Sequence, residues 1–289
     1  MSVDKRWLIL FLLFFARISL GFQFQTMGSV SSQIIDELSF NYTQIGTLIG
    51  IFMVPGLFLA IPAGLTGNLL SDKSMIGLGL ITLGLGGGIA SLSETYGLFF
   101  SGRLICGVGF VFSTIFFAKV TTDWFEGKEL ATAMSILVMS WPFGIAMGQI
   151  GHGWLATNFD WRWAFIIASS YCAISALLIM ILFHSPPHIK SEKVSFGIQL
   201  TGNELLLTLV ASSAWGLFNA GYVVYLSFGP SILIAQGMDT VSALGIISIA
   251  SWIMIFSGAL CGYIADRSGR PALIVFVCLT FSVLSLLLL

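Results

Sequence analysis

Charge is what this sequence has least of. Of its 289 residues 9% are charged, with 12 Lys and Arg against 13 Asp and Glu. A soluble domain carries about a quarter charged residues, so this chain has too few polar groups to cover a water-facing surface, and a bilayer is the solvent it fits. The net charge of −1 leaves no basic excess, which argues against a nucleic-acid partner. Histidine is scarce too, at 3 residues: His152, His184 and His188. No metal-spaced His/Glu set, nucleophile elbow or pair of intramembrane Asp accompanies them, so no enzyme chemistry, metal or cofactor is expected. A phosphate loop is absent, so ATP-driven work would need another chain. The 4 cysteines, Cys106, Cys172, Cys261 and Cys278, lie far apart in sequence without a Cys-x-x-Cys. That speaks against a disulfide framework and a zinc site, and for small apolar residues in helices.

What the sequence does have is apolar length. Hydrophobic residues make up 57% of the chain, and mean hydropathy is +0.98. Runs of spanning length place helices at 7–27, 45–65, 75–93, 97–120, 130–150, 163–183, 205–228 and 241–261, with a ninth starting at Ala272. At about 20 residues per crossing the length accommodates nine or ten spans. These runs are too long for barrel strands and do not alternate. The first run is too long for a signal-peptide core, lacks a small-residue cleavage site and is followed by further spans. The last residues, Ser285 to Leu289, sit inside an apolar run, which reads as a truncated membrane protein.

Lys and Arg in the loops set the orientation. With the N-terminus inside, Lys5, Arg6, Lys73, Lys128, Lys190, Lys193, Arg267 and Arg270 fall on the inner side and only Arg162 on the outer. The N-terminus is therefore expected in the cytoplasm, most simply at the plasma membrane. The longest inner loop, with Pro186-Pro187, divides the chain into a six-helix half (1–184), a central loop (185–204) and a partial second half (205–289) whose ninth span is cut off.

The two halves carry a repeat. Between spans 8 and 9 stands Gly262-Tyr263-Ile264-Ala265-Asp266-Arg267-Ser268-Gly269-Arg270-Pro271. Between spans 2 and 3 stands a degenerate copy, Gly64-Leu65-Thr66-Gly67-Asn68-Leu69-Leu70-Ser71-Asp72-Lys73, with Asn68 in place of the acid. Both resemble the loop signature of the major facilitator superfamily, Gly-x-Leu-Ala-Asp-Arg-x-Gly-Arg-Arg. Gly102-Arg103-Leu104-Ile105-Cys106-Gly107 resembles the family's helix 4 pattern. Trp141-Pro142-Phe143-Gly144 with Gly148 loosely resembles its Gly/Pro-rich helix 5 pattern. The resemblance implies an all-α membrane bundle with about nine of twelve helices present, working by alternating access of two halves. The loop residues Gly64, Asn68, Asp72, Gly262, Asp266, Arg267, Gly269 and Arg270 become candidates for a gate. Asp266 can accept from helix N-terminal amides, while Arg267 and Arg270 serve either as gate residues or as positive-inside anchors.

Three cations fall within spans. A charge at the bilayer centre costs at least about 2.5–3.5 kcal/mol on insertion scales. Arg17 sits at the middle of the first span, sharing a helical face with Gly21, Phe24 and Gly28 and with Gln25 at its edge. It reads either as an anion-binding or coupling residue lining a cavity, or as an Arg paired to backbone carbonyls. By the resemblance Arg103 is the family's helix 4 Arg, tied to coupling or switching. Lys119 lies near the inner end of its span, where it can snorkel. All 13 acids fall in loops or at helix ends. A positive interior without acids favours a small anionic solute, bound by Arg17, Gln25, Arg103 and, from a polar stripe on the seventh span with Ser212 and Gly216, Asn219. The partners expected are that solute, a coupling ion (H+ or Na+) and the lipid bilayer. An antiporter exporting amphipathic compounds and a non-transporting scaffold or receptor stand as alternatives.

Overall fold

The computed structural model describes residues 3–65, 70–127, 129–184 and 201–287; Asn68 and most of the central loop lie outside them. The described residues fold into eleven helices and no strand: α1 (Val3–Ser29), α2 (Ser31–Leu38), α3 (Tyr42–Ile51), α4 (Val54–Leu65), α5 (Asp72–Ser91), α6 (Tyr96–Phe125), α7 (Leu130–Asn158), α8 (Arg162–Leu182), α9 (Gly202–Ala235), α10 (Thr240–Ser268) and α11 (Pro271–Leu287). Eight segments are long and apolar enough to cross a membrane, α3 and α4 acting together as one. The protein is an integral multi-pass membrane protein. The end of the bundle where α1 begins is called the near end below, and the opposite one the far end.

The helices start where capping side chains take over from apolar sequence. Asn41 with Gln44, and Thr201 with Glu204, form capping boxes for α3 and α9, and Ser71, Thr95 and Asp239 cap α5, α6 and α10. Each side-chain oxygen satisfies an amide that the first helical turn leaves without a partner. Several helices outrun the apolar runs that predicted them. The run at 130–150 is part of a helix that continues to Asn158, about 44 Å long at 1.5 Å per residue. Hydropathy falls off at the membrane surface, whereas the backbone stays helical until a cap or turn stops it. For the same reason Gly262, Asp266 and Arg267, expected in a loop, lie in the last turns of α10. The turn begins only at Gly269, whose φ of 62° caps the helix in the left-handed region that glycine adopts without strain.

Two features were not expected from the apolar runs. The short helix α2 follows α1 at the far end, too short and polar to register as a span. The run at 45–65 is broken at Phe52 and Met53, between α3 and α4. Pro55 supplies the reason: it has no N–H for the carbonyl of Ile51, and its ring crowds that carbonyl.

Glycine sets how closely the spans approach. On α5 and α6, Gly79 faces Gly109 and Gly86 faces Gly102, and a Cβ on any of the four would lie within 3.0 Å of the other helix's backbone. Gly21 of α1 and Gly144 of α7 make a second such crossing, against Trp141 and Ile18. These contacts bring backbones together where side chains would hold them apart. Aromatic rings fill the neighbouring space, with Phe24, Phe52, Phe110 and Trp141 in mutual contact at 5.1–5.3 Å. The helices α9 and α10 join the rest mainly through α10, which packs along α7.

Candidate functional site

Pro142 makes the first polar feature inside the bundle. Lacking an N–H, it leaves the carbonyl of Val138 on α7 without its helical donor. Arg17 of α1 fills the gap: Nη1 donates to the carbonyls of Val138 at 3.2 Å and Leu137 at 2.8 Å, and to Ser140 Oγ at 3.0 Å. The side chain is buried, and its Nε has no partner among the described residues. One edge of the guanidinium is thus held by α7 and the other is left without a hydrogen bond. The helical face carrying Arg17 forms a closed seam, because Gly21 lets α1 rest on the α7 backbone.

Arg103 also answers freed carbonyls, with a different outcome. The end of α3 at Ile51 leaves its last carbonyls without intrahelical donors. Arg103 reaches from α6 to one of them, Nε donating to Leu48 O at 3.1 Å. Nη1 and Nη2 donate to the carbonyls of Gln23 at 3.4 Å and Phe24 at 3.3 Å on α1. The guanidinium carbon lies 4.7 Å from the Phe52 ring centroid, a cation–π contact. Arg103 is fully buried, and all three nitrogens are engaged by protein. In this geometry Arg103 ties α6 to α1 and α3.

The remaining candidates separate. Gln25 is buried two turns beyond Arg17, its Nε2 donating to Ser29 Oγ at 3.3 Å, and Ser29 donates to Gly148 O of α7 at 3.3 Å. Gln25 and Arg17 therefore share the α1–α7 seam. Asn219 does not join them. It is half-buried on α9, and its amide donates to Trp215 O of the same helix at 2.9 Å. Ser212 and Gly216 of its stripe stand exposed, so no second wall faces Arg17 among the described residues. The same helix does meet α10 through Tyr222 Oη and Ser251 Oγ, 2.6 Å apart. A surface cleft at the far end, lined by Ser31, Ser32, Tyr42 and Ser231, contains neither arginine.

Three buried polar residues of α7 escaped the reading of the sequence: Ser140, which helps hold Arg17, Gln149, and His152, which reaches Phe22 of α1. His152 lies just beyond the apolar run at 130–150. The helix in fact continues six residues past it. The available signal was the helical spacing of Ser140, Gly144, Gly148 and His152 on one face.

The loop-signature residues gather at the near end. Asp266 Oδ2 accepts from the backbone N–H of Thr132 at 2.7 Å and from its hydroxyl. Thr132 lies in the first turn of α7, so the carboxylate meets the positive end of a helix and links α10 to α7. Arg267 stays on its own helix, with Nη1 donating to Tyr263 Oη at 2.5 Å, and Arg270 follows the cap. Gly64 is exposed near the end of α4. Asp72 opens α5 and pairs with Lys119 of α6 at 2.7 Å, which also meets Asp123 at 3.2 Å. Lys119 is therefore paired as well as placed at the membrane edge. At the far end, Arg162 pairs with Glu37 of α2 at 2.8 Å.

Comparison with known proteins decides the family, since the family model of the Major Facilitator Superfamily matches residues 9–289. The chain belongs to the major facilitator superfamily. Among its curated relatives, the hexuronate transporter of Bacillus subtilis (strain 168) is 22% identical over 276 residues, covering 92% of this chain and 65% of the relative. A putative tartrate transporter of Agrobacterium vitis is 24% identical, covering 72% of this chain and 47% of the relative. The chain thus spans about half to two thirds of the length of these relatives. In fold it is similar to the crystal structure of a bacterial homolog of the human lysosomal transporter Spinster. The TM-score is 0.72 at 19% identity, covering 92% of this chain and 64% of that one.

Proposed function

We propose that the protein is a secondary active transporter of small carboxylate anions, sugar acids first among them, working by alternating access. The observation that carries this reading is Arg17, a buried cation at mid-span with α7 holding one edge and a partnerless Nε on the other. A carboxylate is the natural complement to a guanidinium edge, since its two oxygens match two parallel N–H donors. No acid of the described spans lies at that depth to neutralise it, and two relatives are named for hexuronate and tartrate. Gln25 on the same seam would hydrogen-bond solute hydroxyls once α1 and α7 part. The two halves, 1–184 and 205–289 with the central loop between them, would rock about this midplane site. The near end faces the cytoplasm of the plasma membrane in this reading, consistent with the positive charge gathered there. The Asp266–Thr132 link then acts as an inner latch between the halves.

The test is uptake of a hexuronate such as galacturonate into liposomes containing the full-length protein. Arg17→Ala and Arg17→Lys are both expected to abolish most of it, Lys because it keeps the charge but not the planar fork. Unchanged anion uptake in both variants would overturn the assignment. Export of cationic dyes without anion uptake would point instead to a carrier of amphipathic compounds.

A further inference from the structure

The α1–α7 seam holds one titratable side chain that the anion reading does not use. The ring of His152 lies 4.2 Å from the Phe22 ring, and its Nε2 is 3.0 Å from the Phe22 carbonyl oxygen. A carbonyl oxygen only accepts, so Nε2 must carry the hydrogen and Nδ1 is left as a bare acceptor. This Nδ1 is buried without a hydrogen-bond partner among the described residues. One turn earlier on α7, both amide atoms of Gln149 are also buried and partnerless. Native proteins rarely bury such groups unless water, an ion or a ligand visits them. An amide cannot take up a proton at neutral pH, whereas imidazole can, and its ordinary titration falls in the physiological range.

We propose that His152 is a proton-binding site, and that a proton taken up on Nδ1 is the ion that couples transport. This rests on the transporter reading above. The bond formed is Nδ1–H, the proton coming from water at the open end of the seam and leaving to water when the seam opens on the other side. The groups around the ring explain the coupling. From α1 come Phe22 and, across Gly148, Gln25. From α8 comes Tyr171, packed on Phe22, its hydroxyl donating to Phe15 O at 2.7 Å. From α10 comes Leu244, beside Gly153; α7 itself adds Gln149. None of these carries a charge. The nearest charge identified on the seam is Arg17, held at Ser140, twelve residues or about 18 Å along α7, and it has the same sign.

An imidazolium in the closed seam would therefore be a buried, uncompensated charge, which is costly. Protonation favours the state in which water reaches Nδ1, so a protonated empty carrier stays open. An anion entering on Arg17 neutralises the other cation of the seam, so the protonated ring no longer faces a like charge and the seam closes more readily. By linkage, the proton raises affinity for the anion by the same factor as the anion raises affinity for the proton.

The experiment uses the full-length protein and two readouts. In liposomes, galacturonate counterflow at equal pH is compared with accumulation driven by a pH gradient. His152→Gln keeps an amide N–H for the Phe22 carbonyl and removes the basic nitrogen. It is expected to leave counterflow within about twofold of the unmodified protein, to lose gradient-driven accumulation, and to flatten the pH profile between about pH 5 and 8. Gradient-driven accumulation that persists in His152→Gln with an unchanged profile overturns the proposal while leaving the transporter reading intact. The second readout needs neither the variant nor transport. Nitrogen NMR of the labelled His152 ring in the unmodified protein is expected to show Nδ1 gaining a proton within that range, and more readily with galacturonate present. A ring that keeps a bare Nδ1 throughout overturns the proposal even where anion transport fails or the variant does not fold.

Discussion

Arg17 and Arg103 invite comparison because each meets a spanning segment that carries a proline, and each answers a buried carbonyl left without its helical donor. Pro142 frees Val138 O, and Arg17 takes it; Pro55 ends α3 early, and Arg103 takes Leu48 O. What differs is completeness. Arg103 has every nitrogen on a carbonyl and its face over Phe52, with three helices drawn together around it. Arg17 spends one nitrogen on α7 and leaves Nε without a partner. A buried guanidinium whose donors are all satisfied by protein holds protein together. One with a spare edge has capacity for something that comes and goes.

Substitution at the two sites breaks or sharpens that contrast. The largest effect is expected at Arg103: Arg103→Leu loses three hydrogen bonds and leaves Leu48 O buried and unpaired, about 2–4 kcal/mol. This should appear as a much lower thermal midpoint in detergent and little folded protein. Arg17→Ala should separate the two properties: it also loses three hydrogen bonds, but it removes a buried donor that has no partner, so about 1–2 kcal/mol of stability goes, while anion uptake falls by about a hundredfold, as for an anchoring charge whose loss costs about 2.7 kcal/mol. Comparable stability losses at the two sites would erase the distinction between scaffold and site. At the near end, Asp266→Asn keeps an acceptor for Thr132 but loses its charge, a change of about 1 kcal/mol. Cysteines placed at the near ends of α7 and α10 should then label faster; unchanged labelling would remove the latch. Smallest is Lys119→Ala, whose half-exposed pairs with Asp72 and Asp123 are worth at most about 1 kcal/mol, so both stability and uptake should stay close to those of the unmodified protein.

A similar contrast separates α1 from α9, two long spanning helices. Over its most apolar stretch α1 is 56% buried and α9 17%, although both are long apolar helices with a few polar residues. A polar stripe such as Ser212, Gly216 and Asn219 has no bearing on burial until neighbours are known. The stripe at Arg17, Gly21 and Gln25 reads much the same on a helical wheel, yet it is closed against α7. Gly262 to Arg267 teaches the related lesson that a loop signature can lie in helix, because the residues around it form one until Gly269 permits the turn.

The sequence by itself determined the solvent, the approximate positions of the eight full spans, the charge asymmetry of the loops and the family. All of these follow from composition, run length and short motifs, which depend on residues close together in the chain. It also singled out Arg17 and Arg103 through the cost of burying charge. Only the tertiary structure decided what each arginine meets, because Leu137, Val138 and Ser140 lie more than a hundred residues from Arg17 and a carbonyl freed by a proline leaves no mark on a helical wheel. It likewise decided that Asp266 reaches Thr132 and that His152 keeps one nitrogen bare. A hydrogen bond needs both partners in place, and one of each pair is supplied by a different helix.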